Sequence, residues 1–295
     1  MAIISNPSAL YNRQLQVKLI LQSGTFNQGN NVKLINNLTI NATVSKTMNN
    51  NFTNTANLII YGMNKSDIAT LSTLGYIPLV YNANKIELYA QYEGQTPALC
   101  FSGYILRAYA DFSDPNRPMF FECQATYQQA INNTLNYNIN GTISITTAFS
   151  QLASNLGYSF TNNGVTGQLN NPILTGSGIA QLQQLAKQTQ TNCVIDNNVC
   201  KIAPLGMALS NLILNINGNS GLISYPIIDS WGVRFRMRYN SQLSLGQYIA
   251  LQTIVNIPKS TGQWFVYDMQ SSLNNRHENW YTDVRCSYNN LQEST

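Results

Sequence analysis

The side chains able to do acid–base or nucleophilic chemistry are few and scattered. His277 is the single histidine of the 295-residue chain, in the polar run Asn274-Asn275-Arg276-His277-Glu278-Asn279. A serine or cysteine hydrolase would have to use that imidazole as its base. No G-x-S-x-G elbow accompanies it, so a surface or loop-bracing role is expected. Twelve acidic residues are spread without a spacing that singles out a glycosidase pair. The glycines form neither a phosphate loop nor a dinucleotide fingerprint. Cys100, Cys123, Cys193, Cys200 and Cys286 lack the paired C-x-x-C or His-rich spacing of a zinc site. No catalytic, cofactor-binding or metal-binding residues are therefore assigned, and the chain is expected not to be an enzyme.

Two patterns are more informative. Arg234, Arg236 and Arg238 alternate with Val233, Phe235, Met237 and Tyr239. On a strand, residues two apart share a face, which gives a positive stripe about 13 Å long at the usual rise. The stripe is either a solvated face paired locally with Asp229, Asp283 or Glu278, or a contact for phosphates or for acidic residues of a neighbouring subunit. Cys193 and Cys200 flank Asp196-Asn197 symmetrically. A hairpin turning there would set them opposite one another, in reach of a disulfide. The N-terminus has no basic n-region or long apolar core, so no signal peptide is expected. In a reducing compartment the pair should stay as thiols, and the other three cysteines, in apolar strand runs, should be small buried hydrophobes.

Charged residues make up 9% of the chain, against about 25% in an ordinary soluble domain. The hydrophobic content of 44% is ample for real cores. A net charge of +4 is too mild for a dedicated nucleic-acid binder. No apolar run approaches the roughly 20 residues of a membrane helix, so no stable membrane insertion is expected. A surface of amides and hydroxyls suits a protein packed against copies of itself or partners. The 17 tyrosines could be sugar platforms, but most fall within alternating runs, where core and subunit-interface packing is the expected use.

These side chains must be positioned mainly by strands. Leu38, Ile40, Ala42 and Val44 alternate with Asn37, Thr39, Asn41 and Thr43, the signature of antiparallel structure with one buried face. Similar runs surround Leu15–Leu21, Leu58–Tyr61, Ile86–Tyr92, Ala98–Ala110 and Met119–Ala125. A short helix capped by Ser66 should carry Ile68, Leu71 and Leu74 and stop at Gly75. Between 127 and 206 the period changes. Ala148, Phe149, Leu152, Ala153 and Leu156 form a helical stripe with Thr146 as cap and Gly157 as terminator, and a second helix starts at Ser177 with Ile179, Leu182, Leu185 and Ala186 on one face. Strands resume after 207, and Ile86-to-Cys123 and Tyr248-to-Cys286 share a three-strand layout of nearly equal length. The reading is mainly β: a strand-built unit over 1–126, a small barrel or a sandwich, then a small α+β unit over 127–206 and a second strand-built unit over 207–295 whose like layout suggests a duplicated barrel.

The order of these segments resembles the baseplate hub proteins of contractile phage tails, related to the hub portion of type VI secretion spikes. Four stretches carry the resemblance: Ala56-to-Asn64, Phe101-to-Ala108, the middle unit from Ile143 through the Ile195-to-Asn198 hairpin, and Gly262-to-Val266 with His277-to-Thr282. The resemblance implies two tail-tube-like antiparallel barrels per chain, a homotrimeric pseudo-sixfold ring, and a channel for DNA. Its partners would be a spike protein below, a tube or tube-initiator protein above and baseplate wedge proteins around it. The protein would be assembled in the host bacterial cytoplasm and carried in the virion. A host-recognition module binding glycans is the alternative, and a cell-wall hydrolase using His277 is a third.

Overall fold

The computed structural model describes residues 12–27, 29–48, 52–73, 83–132, 134–252 and 262–288. The chain begins with β1 (Arg13–Ile20), β2 (Val32–Ile35), β3 (Thr39–Thr47), β4 (Thr55–Tyr61), α1 (Lys65–Leu71), β5 (Lys85–Tyr92), β6 (Ala98–Ala110) and β7 (Met119–Gln124). An insert follows: α2 (Tyr127–Ile131), β8 (Tyr137–Asn138), β9 (Thr142–Ser144), α3 (Ile145–Asn155), β10 (Ser159–Asn162), β11 (Gln168–Asn170), β12 (Ile173–Leu174), α4 (Gly178–Gln188), β13 (Thr191–Asp196) and β14 (Val199–Pro204). The chain then returns to strands with β15 (Ser210–Ile216), β16 (Ile227–Asp229), β17 (Gly232–Arg238), β18 (Gln247–Leu251), β19 (Gly262–Asn274) and β20 (Trp280–Tyr288).

Strands from both ends of the chain join one large sheet in the order β16-β17-β20-β19-β3-β4-β7-β6-β5-β1-β2, with β18 pairing β19 and β15. All of its pairings are antiparallel except β15 with β18, which is parallel. The terminal strands β2 and β16 each have one neighbour, so the described strands form an open sheet and no closed barrel. The seam between the chain's two ends is β3 against β19, from Thr47 opposite Asp268 to Asn41 opposite Asn274.

The period-two pattern explains the core. Along β3 the side chains alternate strictly between buried and half-buried, with Ile40, Ala42 and Val44 inward. They join Leu15, Val17, Leu58, Ile86, Phe101 and Phe121 in one cluster, which Tyr239, Leu273 and Trp280 close from the far end of the chain. Each large side chain so buried contributes about 1.5–3 kcal/mol. A second cluster lies in the insert, around Phe149, Leu152, Leu182 and Ile202, and a third gathers Ile216, Phe235, Ile249, Val266 and Val284.

The two like layouts are real pairings. β5-β6-β7 and β18-β19-β20 are both antiparallel meanders with a 13-residue middle strand that shifts register part-way. In each case the third strand then pairs with an earlier one, β7 with β4 and β20 with β17.

The helix ends differ in detail from the sequence reading. α1 is capped by Asn64 rather than Ser66, since the Asn64 side chain accepts from Asp67 N–H at 2.8 Å. Leu74 and Gly75 lie outside the described residues. α3 starts two residues early: Ser144, not Thr146, accepts from Thr147 N–H at 3.0 Å. Gly157 does end that helix, with φ of 79°, and Ser177 caps α4.

Candidate assembly faces and the joint to the insert

The sheet's register aligns a continuous polar face. One row runs from Arg236 through Asp283, Gln270 and Ser45 to Thr55 and Gln124. A parallel row runs from Arg238 through Tyr281, Ser272, Thr43 and Asn57 to Glu122. Hydroxyls and amides occupy the centre of this face and charges its margins. At strand spacing the face is about 29 Å across from β17 to β6.

The three arginines do share that face, and they fare differently. Arg236 makes a bidentate pair with Asp283, at 2.8 and 2.9 Å, and its guanidinium lies 3.9 Å from the centre of the Tyr281 ring. The hydrogen bonds to Asp283 hold its already high pKa higher still. Arg285, directly opposite Arg234, leans towards Asp268 at 3.8 Å, and Arg107 pairs with Glu122 at 3.6 Å. Arg234 and Arg238 are exposed and make no ion pair among the described residues. Of the partners expected from the sequence, Asp283 is the one engaged. Asp229 instead accepts from Trp231 and Gly232 N–H in its own turn.

Beside the arginines lies an apolar arm that the alternation did not flag. Ile223, Tyr225, Ile227, Ile228 and Trp231 lead into the β16–β17 turn, and Trp231 is 79% exposed. At the opposite end of the polar face, Tyr109 and Phe120 stack at 4.9 Å with Arg107 over Tyr109, and Phe112 is exposed beside them.

The insert meets the sheet at the tip of the β13–β14 hairpin. The turn residues are Asn197 and Asn198, both in the left-handed region at φ 49° and 65°, not Asp196-Asn197 as the cysteine spacing implied. The register therefore moves: Cys193 opposes Ile202 and Cys200 opposes Ile195, so the two cysteines are diagonal neighbours with sulfurs 3.7 Å apart. At the tip, buried Lys46 reaches Asp196 at 2.6 Å. Asn197 donates to the Leu99 carbonyl, Asn198 to Ser102, and Asn54 to the Ile195 carbonyl. A cavity of about 260 Å³ opens beside this joint, lined by Lys46, Asp196, Lys201, Tyr239 and Ser271 among others.

Among the other described titratable groups, Lys18, Lys85 and Tyr89 meet at Glu87 and Lys33 pairs with Asp67. His277 is exposed; its main-chain N–H donates to Asn274 and its carbonyl accepts from Arg13. Burial pushes the thiols of Cys100, Cys123 and Cys286 up. Among the described residues no group of three or more His, Cys, Asp and Glu could hold a metal ion, and no helix is long and apolar enough to cross a membrane.

The fold is shared with tail proteins and a type VI secretion component. A tail protein from Neisseria meningitidis superposes with a TM-score of 0.61 at 9% identity, covering 94% of this chain and 96% of that one. A 43 kDa tail protein of prophage MuSo2 from Shewanella oneidensis gives 0.60 at 8% identity, over 95% and 97% of the two chains. The E. coli c3393 protein, a type VI secretion component described as similar to T4 tail proteins gp27 and gp5, gives 0.53 at 7% identity over 85% and 73%. No curated protein sequence matches. A family model described as baseplate hub gp41 matches residues 14–286. The chain belongs to that baseplate hub family.

Proposed function

We propose that the protein is the structural hub of a phage tail baseplate. Three copies form a pseudo-sixfold ring that joins the tail tube to the central spike and leaves a channel for DNA. Its two strand-built halves, over 1–126 and 207–295, act as the tube-like barrels, and 127–206 is the α+β unit between them. The role is structural, without catalysis, in the virion baseplate after assembly in the host cytoplasm.

The observation that carries this reading is the repeated layout with one contact used once. β3 of the first half lies against the second part of the long strand β19. By the same layout, β16 of the second half should lie against the second part of β6, but of another copy. Beyond Ile105, whose N–H donates to the Asn84 carbonyl, that edge of β6 exchanges hydrogen bonds with Thr73 through Ala108, and no described strand pairs with it there. Eight strands separate the two positions inclusively, an even number, so rotation of one copy onto the next leaves β16 antiparallel to β6 and the contact heterologous and ring-closing. Three such runs have a circumference of about 115 Å at strand spacing, wide enough for a duplex. The amide-rich polar face then turns towards the DNA; the Arg236–Asp283 and Arg107–Glu122 pairs compensate part of its charge, and Arg234 and Arg238, without an ion pair among the described residues, confine the grip on phosphate to one margin of the face.

Light scattering on the chain purified with its spike partner tests the proposal. Three 32.8 kDa chains contribute about 98 kDa to the expected complex. Replacing Ile227 and Trp231 by Asp should lower the copy number to one without unfolding the chain. A complex holding one wild-type copy, or three copies that survive those substitutions, overturns the reading.

A further inference from the structure

We propose that Cys193 and Cys200 are a redox couple that closes to a disulfide by exchange with a small-molecule disulfide such as oxidised glutathione, locking the joint between the insert and the sheet. The two side chains share one face of the β13–β14 hairpin, with sulfurs 3.7 Å apart. Bond formation at about 2.05 Å needs an approach of roughly 1.7 Å, within reach of side-chain rotation and a small tightening of the hairpin. Cys193 is partly exposed and offers a way in, whereas Cys100, Cys123, Cys200 and Cys286 are all buried. The pair sits just behind the hairpin tip at Ile195–Asn198, which carries the contacts of the joint described above, so the bond would constrain those contacts.

The chemistry balances as two exchanges. Cys193 loses its proton, and its thiolate attacks one sulfur of glutathione disulfide, releasing one glutathione thiolate and leaving a mixed disulfide. Cys200 then loses its proton and attacks the Cys193 sulfur, expelling the second glutathione. Two protein thiols are oxidised and one external disulfide is reduced. The hydrogen bond with Cys200 and burial both hold the Cys193 thiol protonated, so exchange should be slow near neutrality and quicken as the solution becomes alkaline. In a reducing cytoplasm the couple stays open, and it closes once the particle reaches an oxidising medium.

The test is peptide mapping of the full-length chain after incubation with oxidised glutathione at mildly alkaline pH, with hydrogen exchange measured on the same samples. Two of the five cysteines should be consumed as a Cys193–Cys200 link, without retained glutathione. Exchange at Asp196–Asn198 should slow several-fold. In Cys200→Ser, glutathione should remain on Cys193, and Cys193→Ser should take up none. Five intact thiols, or a wild-type chain that keeps glutathione on Cys193, would overturn the couple. A link that leaves exchange at the turn unchanged would overturn the locking role. The wild-type map decides the matter even if a serine variant fails to fold.

Discussion

Substituting Lys46→Met removes one side of the ion pair that fastens the insert to the sheet. Lys46 and Asp196 are 6% and 8% exposed, and their contact is 2.6 Å. Deleting one partner of such a pair costs about 3–5 kcal/mol, because the other charge is left buried without compensation. The adjacent cavity admits water to the stranded carboxylate, which places the expected loss near the lower figure, about 3 kcal/mol. Methionine keeps most of the lysine stem's volume, so packing contributes little to the change. In a protein of this size the loss corresponds to roughly 6–12 °C in melting temperature. Urea unfolding followed by circular dichroism measures it, and hydrogen exchange should show the loss concentrated in β13, β14 and their turn. The double variant Lys46→Met/Asp196→Leu should recover to within about 1 kcal/mol of the wild type, since neither charge is then stranded. A single variant within about 0.5 kcal/mol of wild type, or a double variant no better than the single, would refute the view that this pair governs the joint.

Phe149→Ala should cost about 3–5 kcal/mol, since Phe149 is fully buried at the centre of the insert's core; limited proteolysis should then cut the insert before the sheet. Gly232→Ala should cost about 2–3 kcal/mol in denaturant titration. Its φ is 145°, and a Cβ there would lie 2.1 Å from the Cys286 carbonyl oxygen across the β17–β20 ladder. Burial raises the Glu87 pKa, but hydrogen bonds from Tyr89 and Lys18 and the charges of Lys85 and Lys18 outweigh it, so the net shift is downward. A lowered carboxylate pKa stabilises the fold above the unfolded-state value and is lost as pH falls through the folded one. Glu87→Gln should therefore lose stability at neutral pH and show a shallower acid limb below about pH 4.

Much of the fold was legible because burial follows local alternation. Strand β6 spans the run Ala98–Ala110 read from the sequence, and α3 and α4 bury the stripes that marked them. The arginine stripe was legible as a shared face, but which carboxylate would take Arg236 depended on a register that local pattern does not encode. The hairpin turn was misplaced by one residue because the cysteine spacing outweighed Asn197-Asn198, two residues that tolerate positive φ and prefer such turns. The exposed arm at 223–231 escaped notice because apolar residues normally signal a core, and only coordinates show Trp231 in solvent. The seam between β3 and β19 was invisible, since nothing in either strand names a partner so far along the chain.

That seam governs the order in which the chain can fold. When the ribosome has produced the first half, β3 waits with a bare edge and the Leu273 and Trp280 positions in the first core are empty. The missing strand lies far along the chain from β3, so the first core cannot close until β19 has emerged, and closure should be slow, as contacts distant in sequence require. Truncated chains would lack β19 and keep an open, adhesive edge. Only a chain translated through β20 can present that first core closed.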